Sequence, residues 1–309
     1  MDATLIVLFG ALVLDRVFGE PAWLYARLPH PVVVMGNAIT RLERWLYAWP
    51  DKRIAGTVLM AIMVGGSWAL GIVLAQFWLI ELFLIAALLA QKSLLDHVRA
   101  VAVGLRAGLD QGRIELGKIV GRDTASLDQA AIARAANESL AENMVDGVTS
   151  PLFWALIGGL PGIMAYKALN ALDSMVGHKN EKYQEFGWAS ARLDDLANWL
   201  PARLTGFAYC GLGALFGYQA FGTSTAIMRR CAPTHKSPNA GWPEAGMAAV
   251  LEQKLGGPQS YGNQWVNNGF MGEGRSNLGP DDIDQALTLS GWLLNILLIS
   301  FGLAALLTL

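Results

Sequence analysis

Long apolar runs recur along the whole chain and constrain its fold more than any other feature. A membrane-spanning helix needs about 20 residues; the run Ile54–Ile80 exceeds this length and the run Trp292–Leu309 approaches it. After Glu81 a further run, Leu82–Leu95, follows the first, which predicts a helical hairpin with a nearly uncharged tip around Phe77. Shorter or interrupted runs lie at Thr4–Leu14, Leu152–Leu169 and Leu204–Phe221.

Composition indicates the same class of protein. The chain is 53% hydrophobic and only 16% charged, whereas about 25% of residues are charged in a typical soluble domain. We therefore expect an all-α, polytopic integral membrane protein, with one membrane-embedded domain over residues 1–309 because no Pro/Ser-rich linker divides the chain. An acid, Asp2, precedes the first run where a signal peptide would have positive charge, which favours a retained membrane segment over a signal peptide. A net charge of -2 without a long basic run argues against nucleic acid as a partner.

Basic residues flank the predicted hairpin on both sides, which places both flanks in the cytoplasm. Glycine and proline residues such as Gly159, Pro161 and Gly213 interrupt two of the shorter runs and predict broken or re-entrant helices. Such helices are tolerated at membrane depth only when they are buried in protein or line a wet cavity. Whether these two runs cross the membrane stays open. The flanking basic residues are Arg27, Arg41, Arg44, Lys52, Arg53, Arg99, Arg106, Arg113 and Lys118.

Three carboxylates, Glu138, Glu142 and Asp146, stand four residues apart along the chain. On a continuous α-helix all three would share one face. Because like charges repel, this spacing favours binding of a cation, and hard oxygen ligands suit Mg²⁺ that is shared with substrate phosphates. A solvated acidic face is the alternative interpretation. We expect Gly147 and Pro151 to end this helix.

The segment from Tyr166 to Arg203 places many polar side chains between two apolar runs. Ionisable groups beside the hydrocarbon are costly, so a membrane protein that keeps so many of them there is expected to use them. An ordinary solvated loop is the alternative, and for Arg192 and Asp195 an i, i+3 ion pair on a helix is an equally good interpretation. The polar residues are Asp173, Ser174, His178, Lys179, Asn180, Lys182, Arg192, Asp194, Asp195, Asn198 and Arg203.

Near the N-terminus, Asp15, Glu20 and His30 surround a Gly-Glu-Pro turn and a His-Pro turn. His30 is a candidate base from its residue type alone. A single histidine beside proline is, however, more often a satisfied turn residue, and we favour that interpretation slightly.

A second turn, His-Lys-Ser-Pro-Asn-Ala-Gly, contains His235, Ser237 and Asn239 and precedes a helix expected to begin near Pro243. Backbone N–H groups just before a helix favour anions such as phosphate. A helix-capping turn without a ligand is an equally good alternative.

A series of motifs occurs in a fixed order over nearly the whole chain: DRVFGEP with HPVVVMG, GRDTASLD, ESLAENMVDGVTSPLFW, YKALNALDSMVGHKNEKYQEFGWASARLDDLANWLPARLT and HKSPNAGWPEAGMAA. In these motifs the chain closely resembles the adenosylcobinamide-phosphate synthase (cobinamide synthase) family, CbiB or CobD. One departure is Ala171, where the family pattern has Thr, and the change is small.

The resemblance implies a multi-pass enzyme of cobalamin biosynthesis in the cell inner membrane, with its active site facing the cytoplasm. It implies that a corrinoid, adenosylcobyric acid, is joined through an amide to an amino alcohol phosphate, with ATP and Mg²⁺ as cofactors. The amine is (R)-1-amino-2-propanol O-phosphate or ethanolamine phosphate, and one methyl group offers only about 1–3 kcal/mol of discrimination between them. Other late enzymes of the same pathway are candidate partners.

The resemblance also suggests roles for the candidate residues. A carboxylate must be activated before it forms an amide, most simply by phosphoryl transfer from ATP, which needs Mg²⁺, cationic clamps and removal of a proton from the amine. We expect Glu138, Glu142 and Asp146, with Asp173 as a further candidate, to hold Mg²⁺ and the nucleotide phosphates. Candidate catalytic residues are His178, Lys179, Asp194 and Asp195. Candidate residues for substrate or phosphate binding are Asp15, Glu20, His30, Lys167, Asn180, Lys182, Arg192, Arg203, His235, Ser237 and Asn239.

Two other functions remain open from the sequence. Broken helices around a polar site are typical of transporters, although the chain shows no internal repeat. A non-catalytic, AmpE-like membrane sensor would share the architecture, but it would have no need for phosphate-handling residues.

Overall fold

The structure, a computed structural model, describes residues 2–261 and 264–308. It confirms the prediction of an all-α membrane protein with a broken helix, and it adds one β-hairpin that was not predicted. The elements are α1 (Asp2–Phe18), α2 (Ala22–Tyr25), α3 (Pro31–Leu46), α4 (Lys52–Leu74), α5 (Trp78–Leu88), α6 (Gln91–Ala107), α7 (Leu109–Leu116), α8 (Gln129–Met144), a π-helical turn (Val145–Thr149), α9 (Ser150–Val176), α10 (Trp188–Ala197), α11 (Trp199–Leu215), α12 (Phe221–Cys231), a 3-10 turn (Ala232–Thr234), α13 (Gly241–Val250), β1 (Leu255–Tyr261), β2 (Gln264–Met271) and α14 (Pro280–Leu306).

Four helical segments among the described residues are long and apolar enough to cross a membrane. The predicted hairpin is present, because α4 ends at Leu74 and α5 begins at Trp78, on either side of the uncharged tip. The predicted C-terminal span is also present, although α14 begins twelve residues before the apolar run, at Pro280 instead of Trp292. The four segments are Lys52–Leu74, Trp78–Ala107, Gln129–Val176 and Pro280–Leu306.

Side-chain caps fix the start of several helices. Asp51 accepts a hydrogen bond from the backbone N–H of Ile54 at 2.9 Å and so begins α4. Asp128 accepts one from Ala131 at 2.7 Å and begins α8. Each cap satisfies an N–H group that has no partner within its own helix.

The chain divides into two compact units. The first contains Met1–Lys92, Asp146–Asn198 and Leu298–Leu309, and the second contains Ser93–Val145 and Trp199–Leu297. The expectation that residues 1–309 form one membrane-embedded domain stays a prediction.

In the first unit, α4 packs along α9, and α1, α3, α5 and α10 pack around this pair. Helix α9 is broken at Gly159, whose backbone has φ 59° and ψ -148°. Pro161 follows and has no N–H to donate. The Glu81 side chain makes a hydrogen bond with the backbone of Leu160, so the only acid of the hairpin's apolar part serves the broken helix. This satisfies the requirement that a helix break at membrane depth be compensated within the protein.

Gly71 allows α4 to approach the broken part of α9 closely. A Cβ atom at this position would lie 2.6 Å from Cα of Pro161 and 2.9 Å from its N atom. The absence of a side chain at Gly71 is therefore a packing requirement of the first unit.

In the second unit, α11, α12 and α13 pack against one another, and α13 also contacts α8. Strands β1 and β2 form an antiparallel pair, with Leu255 opposite Met271. The sequence analysis left this Gly/Asn-rich stretch without an assigned structure. Tyr261, Trp265 and Val266 are residue types enriched in strands, and they are the signal by which the hairpin could have been found.

The helix that carries the acid triplet does not end as expected. Gly147 lies within the π-helical turn Val145–Thr149, and Pro151 lies in the first turn of α9, where a missing N–H costs nothing. Regular α-helical spacing therefore applies to Glu138 and Glu142 but stops before Asp146. The prediction that all three carboxylates share one α-helical face is corrected in this respect. Single π-helical turns occur frequently at functional sites.

Candidate functional site

Among the acids of the first unit that lie outside the candidate spans, Asp194 has the pKa that is raised most. Asp194 as a residue is 8% exposed, and its Oδ1 atom has no hydrogen-bond partner among the described residues. Burial, reinforced by the carboxylates of Asp146 and Asp173, raises the pKa of Asp194 from 3.8 to about 8. A buried acid with a free oxygen and a pKa near neutrality is a candidate for proton transfer.

Asn198 holds the other oxygen of Asp194. Its Nδ2 donates to Oδ2 of Asp194 at 2.9 Å. The Oδ1 atom of Asn198 accepts hydrogen bonds from Ser150 Oγ at 2.5 Å and from the Tyr166 hydroxyl at 2.9 Å. Because both hydroxyls point at the carbonyl oxygen, the amide orientation is fixed, and the NH₂ group must face Asp194. Packing of Tyr166, Leu169 and Ala197 into one apolar cluster supports this network.

Lys167 is the basic residue among the acids around Asp194. Its Nζ donates to the backbone carbonyl of Asp146 at 3.2 Å, and it interacts electrostatically with the carboxylates of Asp146, Asp194 and Glu20. Asp146 also makes a side-chain hydrogen bond with Asn170 and interacts electrostatically with Asp173. The break of the apolar run and the π-helical turn thus bring one half-buried lysine among three acids, one of which, Asp146, was a predicted metal ligand.

Asp146, Asp173 and Asp194 form the acid cluster of the first unit, and the His-Lys-Asn-Glu-Lys loop adds charged side chains at its edge. Asp173 interacts electrostatically with His178, Lys179 and Asp195. Asp195 also interacts with Arg192, in agreement with the i, i+3 helix pair that we gave as one interpretation. The loop therefore brings two basic side chains, His178 and Lys179, to Asp173.

Two other residues of this loop have structural partners. Oδ1 of Asn180 accepts a hydrogen bond from the backbone N–H of Tyr183 at 2.9 Å, which closes a turn. Lys182 forms an ion pair with Glu43 at 2.8 Å and donates to the Tyr183 hydroxyl at 2.6 Å. A phosphate at Lys182 would have to compete with Glu43.

The N-terminal candidates lie in the same unit. Oδ2 of Asp15 accepts a hydrogen bond from the backbone N–H of Gln91 at 2.8 Å, so Asp15 joins the end of α1 to the start of α6. His30 caps α3 by accepting from the Val32 N–H at 3.2 Å, as expected for a satisfied turn residue. Its Nε2 atom nevertheless has no hydrogen-bond partner in the described part of the chain. Burial lowers the pKa of His30, so this ring is neutral at pH 7.

The second unit has its own buried acids. Glu138 forms an ion pair with Arg122 at 3.0 Å and accepts from the backbone N–H of Gly256 at 2.7 Å. Glu244 is 4% exposed and interacts electrostatically with Glu138, Glu142 and Arg122. Burial raises the pKa of Glu244 well above its usual value, and the two neighbouring glutamates reinforce that shift. A cation that bound here would allow Glu244 to ionise.

The turn before α13 uses its own side chains as acceptors. Oγ of Ser237 lies 3.2 Å from the backbone N atoms of Asn239 and Ala240, and Nδ1 of His235 accepts from the Ser237 N–H at 3.0 Å. This is the arrangement of a capping turn, and a phosphate at these N–H groups would have to replace these bonds. Nε2 of His235 lies 3.7 Å from Glu244, but burial lowers the pKa of His235 and raises that of Glu244. We therefore interpret this contact as one between neutral groups.

Arg203, also in the second unit, is held by aromatic rings. Its guanidinium lies 4.1 Å from the ring centroid of Trp199 and 4.7 Å from that of Trp242, and it donates to the Trp199 carbonyl at 2.7 Å. Cation–π contacts of this kind leave part of the guanidinium fork available for an anion.

The candidate residues are thus distributed over both units. Arg122, Glu244 and Asn170 were not among the residues predicted from the sequence, and Asn198 was named there as polar without a role. Glu244 had a signal, because it is the only acid within the apolar helix that the Ser-Pro-Asn-Ala-Gly turn starts. In the first unit are Asp15, Glu20, His30, Asp146, Lys167, Asp173, His178, Lys179, Asn180, Lys182, Arg192, Asp194 and Asp195; in the second are Glu138, Glu142, Arg203, His235, Ser237 and Asn239.

The predicted metal ligands are of a type that suits Mg²⁺, because they are carboxylates; Glu138, Asp146 and Asp173 are half-buried and Glu142 is exposed. Among the residues that the structure describes, no three His, Cys, Asp or Glu side chains form a group that would hold a metal ion unaided. Mg²⁺ usually takes only one or two protein carboxylates and completes its coordination with water and substrate phosphates. Asp146 and Asp173, whose charges interact within the first unit, fit that pattern. Glu138 fits it less well, because Arg122 and Gly256 already bind its carboxylate.

Comparison with known proteins shows the family of this chain. The sequence profile of the CobD/Cbib protein family matches residues 8–290. A protein of Rhizobium meliloti (strain 1021) named cobalamin biosynthesis protein CobD is 46% identical, over 98% of this chain and 97% of its own length. Proteins with the same name from Brucella anthropi and Rhodobacter capsulatus are each 43% identical, over 94% and 90% of this chain and 93% and 90% of their own lengths. No solved structure matches the chain significantly. The chain therefore belongs to the CobD/CbiB protein family.

Proposed function

We propose that this protein, in its role in cobalamin biosynthesis, is an ATP- and Mg²⁺-dependent ligase. It joins the free carboxylate of adenosylcobyric acid to the amine of (R)-1-amino-2-propanol O-phosphate or ethanolamine phosphate, giving adenosylcobinamide phosphate or its ethanolamine analogue. Family membership and the names of the relatives support the pathway. The observation that carries the proposed chemistry is the cluster of the buried Asp194 with the half-buried Asp146 and Lys167.

The reaction has two chemical steps. First, an oxygen of the substrate carboxylate attacks the γ-phosphorus of ATP, which gives an acyl phosphate and releases ADP. Second, the amine nitrogen attacks the acyl carbon, and phosphate leaves with one oxygen of the original carboxylate. The products are the amide, ADP, phosphate and one proton. Bound Mg²⁺ would supply charge neutralisation for the phosphoryl oxygens during the first step.

Asp194 is the proton acceptor in this proposal. The attacking amine must lose protons, and a carboxylate with a pKa near 8 is a much stronger base than an ordinary aspartate. Its Oδ1 atom is available because Asn198 is bonded only to Oδ2. The positive charge of Lys167 attracts negatively charged groups to the neighbourhood of Asp194. Asp146 and Asp173 are the carboxylates that would hold the metal ion.

Other basic side chains bind phosphate groups in this proposal. In the first unit, Lys179 and His178 interact with Asp173 and are the candidates there. In the second unit, Arg203 is a separate candidate, with its guanidinium 4.1 Å from the ring centroid of Trp199 and 4.7 Å from that of Trp242. The site faces the cytoplasm of the inner membrane, where ATP is available, in keeping with the basic flanks of the hairpin.

A stoichiometric ligation assay tests this function. Purified full-length protein in detergent or nanodiscs receives ATP, Mg²⁺, adenosylcobyric acid and the amino alcohol phosphate, and ADP and the corrinoid product are measured by coupled assay and mass spectrometry. We expect about one ADP per amide, and ADP release only when both the amine and the corrinoid are present. ATP hydrolysis that does not depend on either substrate, or corrinoid transport without amide formation, would contradict the proposal and favour a transporter.

Two variants locate the chemistry. Asp194→Asn should reduce amide formation by about a thousandfold or more, as expected for loss of a general base. Asp110→Asn, which changes an exposed carboxylate, should leave it unchanged. Equal activity in both variants would remove Asp194 from the mechanism.

A further inference from the structure

A large apolar cavity lies in the first unit, between the end of α1, the short helix α2 and α5. Its volume is about 580 Å³, within the range of about 300–1,000 Å³ that ligand sites use. Aromatic side chains form much of its wall, namely Phe18, Trp23, Tyr25 and Phe83. Three of these rings are strongly exposed, with Trp23 at 67%, Phe18 at 61% and Phe83 at 58%.

Polar groups connect this apolar wall to the acid cluster. Asp15 and Tyr25 line the cavity, and both interact electrostatically with Glu20. Glu20 in turn interacts with Lys167, the cation of the cluster that contains Asp146 and Asp194. The Tyr25 ring also lies 4.7 Å from the ring of His30, and His30 feels the charge of Lys167. The cavity therefore adjoins the polar end of the candidate site.

We propose that this cavity binds the apolar edge of the corrinoid macrocycle while the substrate carboxylate extends towards Lys167; this rests on the proposed function. The lining excludes the other two substrates on chemical grounds. Among the described residues that line the cavity there is no Lys or Arg, so this lining offers no cation to the phosphates of ATP. An amino alcohol phosphate is too small and too polar to cover such a wall. The methyl groups along the rim of the corrinoid, between its polar amide side chains, form rigid apolar surface that exposed aromatic side chains can cover.

The cavity also explains how a large substrate would be held far from the reacting atoms. Binding energy from a remote part of a substrate positions the reacting group. The exposed rings supply that contact without taking part in the chemistry, so their loss should weaken corrinoid binding and leave the chemical step largely intact.

Equilibrium binding of adenosylcobyric acid to the full-length protein in nanodiscs, without ATP or amine, tests this inference. We expect Trp23→Ala and Phe83→Ala each to raise the Kd about tenfold or more. Trp45→Ala and Phe77→Ala are matched controls, because these rings are 62% and 58% exposed but do not line the cavity, and they should leave the Kd unchanged. In the ligation assay, the two lining variants should raise the KM for corrinoid and leave the KM for ATP unchanged.

A lipid chain is the competing occupant, and brominated phospholipid in the nanodisc distinguishes it. Quenching of Trp23 fluorescence, taken as the difference between wild type and Trp23→Phe, should fall when corrinoid is added. If added corrinoid leaves the quenching unchanged and Phe83→Ala leaves the Kd for corrinoid unchanged, the inference is overturned and the cavity is a lipid groove. If wild-type protein forms the amide but both lining variants bind corrinoid with unchanged Kd, the cavity inference is wrong and the proposed function stands. Corrinoid binding that depends on the lining, without any amide formation, would instead overturn the proposed function.

Discussion

Asn198 donates a hydrogen bond from its side-chain amide to Oδ2 of Asp194 at 2.9 Å, and its own carbonyl oxygen accepts from two hydroxyls. This arrangement leaves Oδ1 of Asp194 for the substrate. We expect Asn198→Leu to lower kcat about 10- to 100-fold with little change in the KM for ATP, because the base loses its orientation. Tyr166→Phe should cost much less, since Ser150 still holds the amide. Equal losses in the two variants would indicate a structural role only.

The pH dependence of the reaction should report the ionisation of Asp194. A base acts only when it is deprotonated, so kcat should rise with pH, pass its midpoint near the pKa of about 8 and then level off. The residual activity of Asp194→Asn should lack this step, which separates it from ionisation of the amine substrate. A wild-type profile that is flat between pH 6 and about 9 would contradict the assignment.

The same group should make stability depend on pH. Because the pKa of Asp194 is raised from 3.8 to about 8 in the folded protein, the folded state binds more protons than the unfolded state between these values. Stability that is fully present below pH 3.8 is therefore lost as pH rises through about 8. Asp194→Asn removes this loss, so its melting temperature relative to wild type should increase from pH 5 to about pH 9, by a few degrees. Thermal unfolding in detergent measures it, and a constant difference would show that Asp194 is not buried as described.

Glu142→Gln should leave expression and membrane insertion intact and reduce amide formation by at least about a hundredfold. The sequence analysis predicted Glu142 as a metal ligand; in the second unit it interacts electrostatically with the buried Glu244, and a bound cation would relieve their repulsion. Glu273→Gln changes an exposed carboxylate of the same unit and is the control. Near-normal activity of Glu142→Gln at saturating Mg²⁺ would count against the role predicted from the acid spacing.

Gly71→Ala tests the packing of α4 against the broken helix α9. The new Cβ would lie 2.6 Å from Cα of Pro161, so one helix must move, and we expect a lower melting temperature and a loss of stability of about 1–3 kcal/mol. Gly65→Ala is a matched control on the same helix, because its Cβ would meet nothing within 4 Å. That variant should be neutral or slightly stabilising, since alanine favours helices. Equal stability of the two variants would contradict the close approach at Pro161.

Periodicity and apolar length were sufficient to predict the spans, and glycine with proline predicted the break at Gly159. These features act locally along the chain, so one sequence reveals them. Glu81 illustrates the limit of this reasoning: in the sequence it only separates two apolar runs, whereas in the structure it serves the backbone of Leu160, which is distant in the chain. Pairings of this kind depend on tertiary packing.

The site was predicted unevenly for the same reason. Asp194, Lys167 and Asp173 were proposed as site residues because each is a charged residue beside an apolar run, and their roles stay predictions. Glu138 was predicted as a metal ligand from its spacing alone. In the structure its carboxylate instead forms an ion pair with Arg122 and accepts a hydrogen bond from Gly256, and both residues lie outside its helix. The π-helical turn at Asp146 breaks the 3.6-residue spacing, and no residue pattern in the chain announced it.

Isotope transfer during the reaction tests the central claim most directly. Adenosylcobyric acid labelled with ¹⁸O in its free carboxylate is converted by the purified protein with ATP and the amino alcohol phosphate, and the released phosphate is analysed by mass spectrometry. Activation by phosphoryl transfer predicts one ¹⁸O atom in each phosphate released, with ADP as the nucleotide product. Unlabelled phosphate, or label found in AMP, would contradict the proposed chemistry.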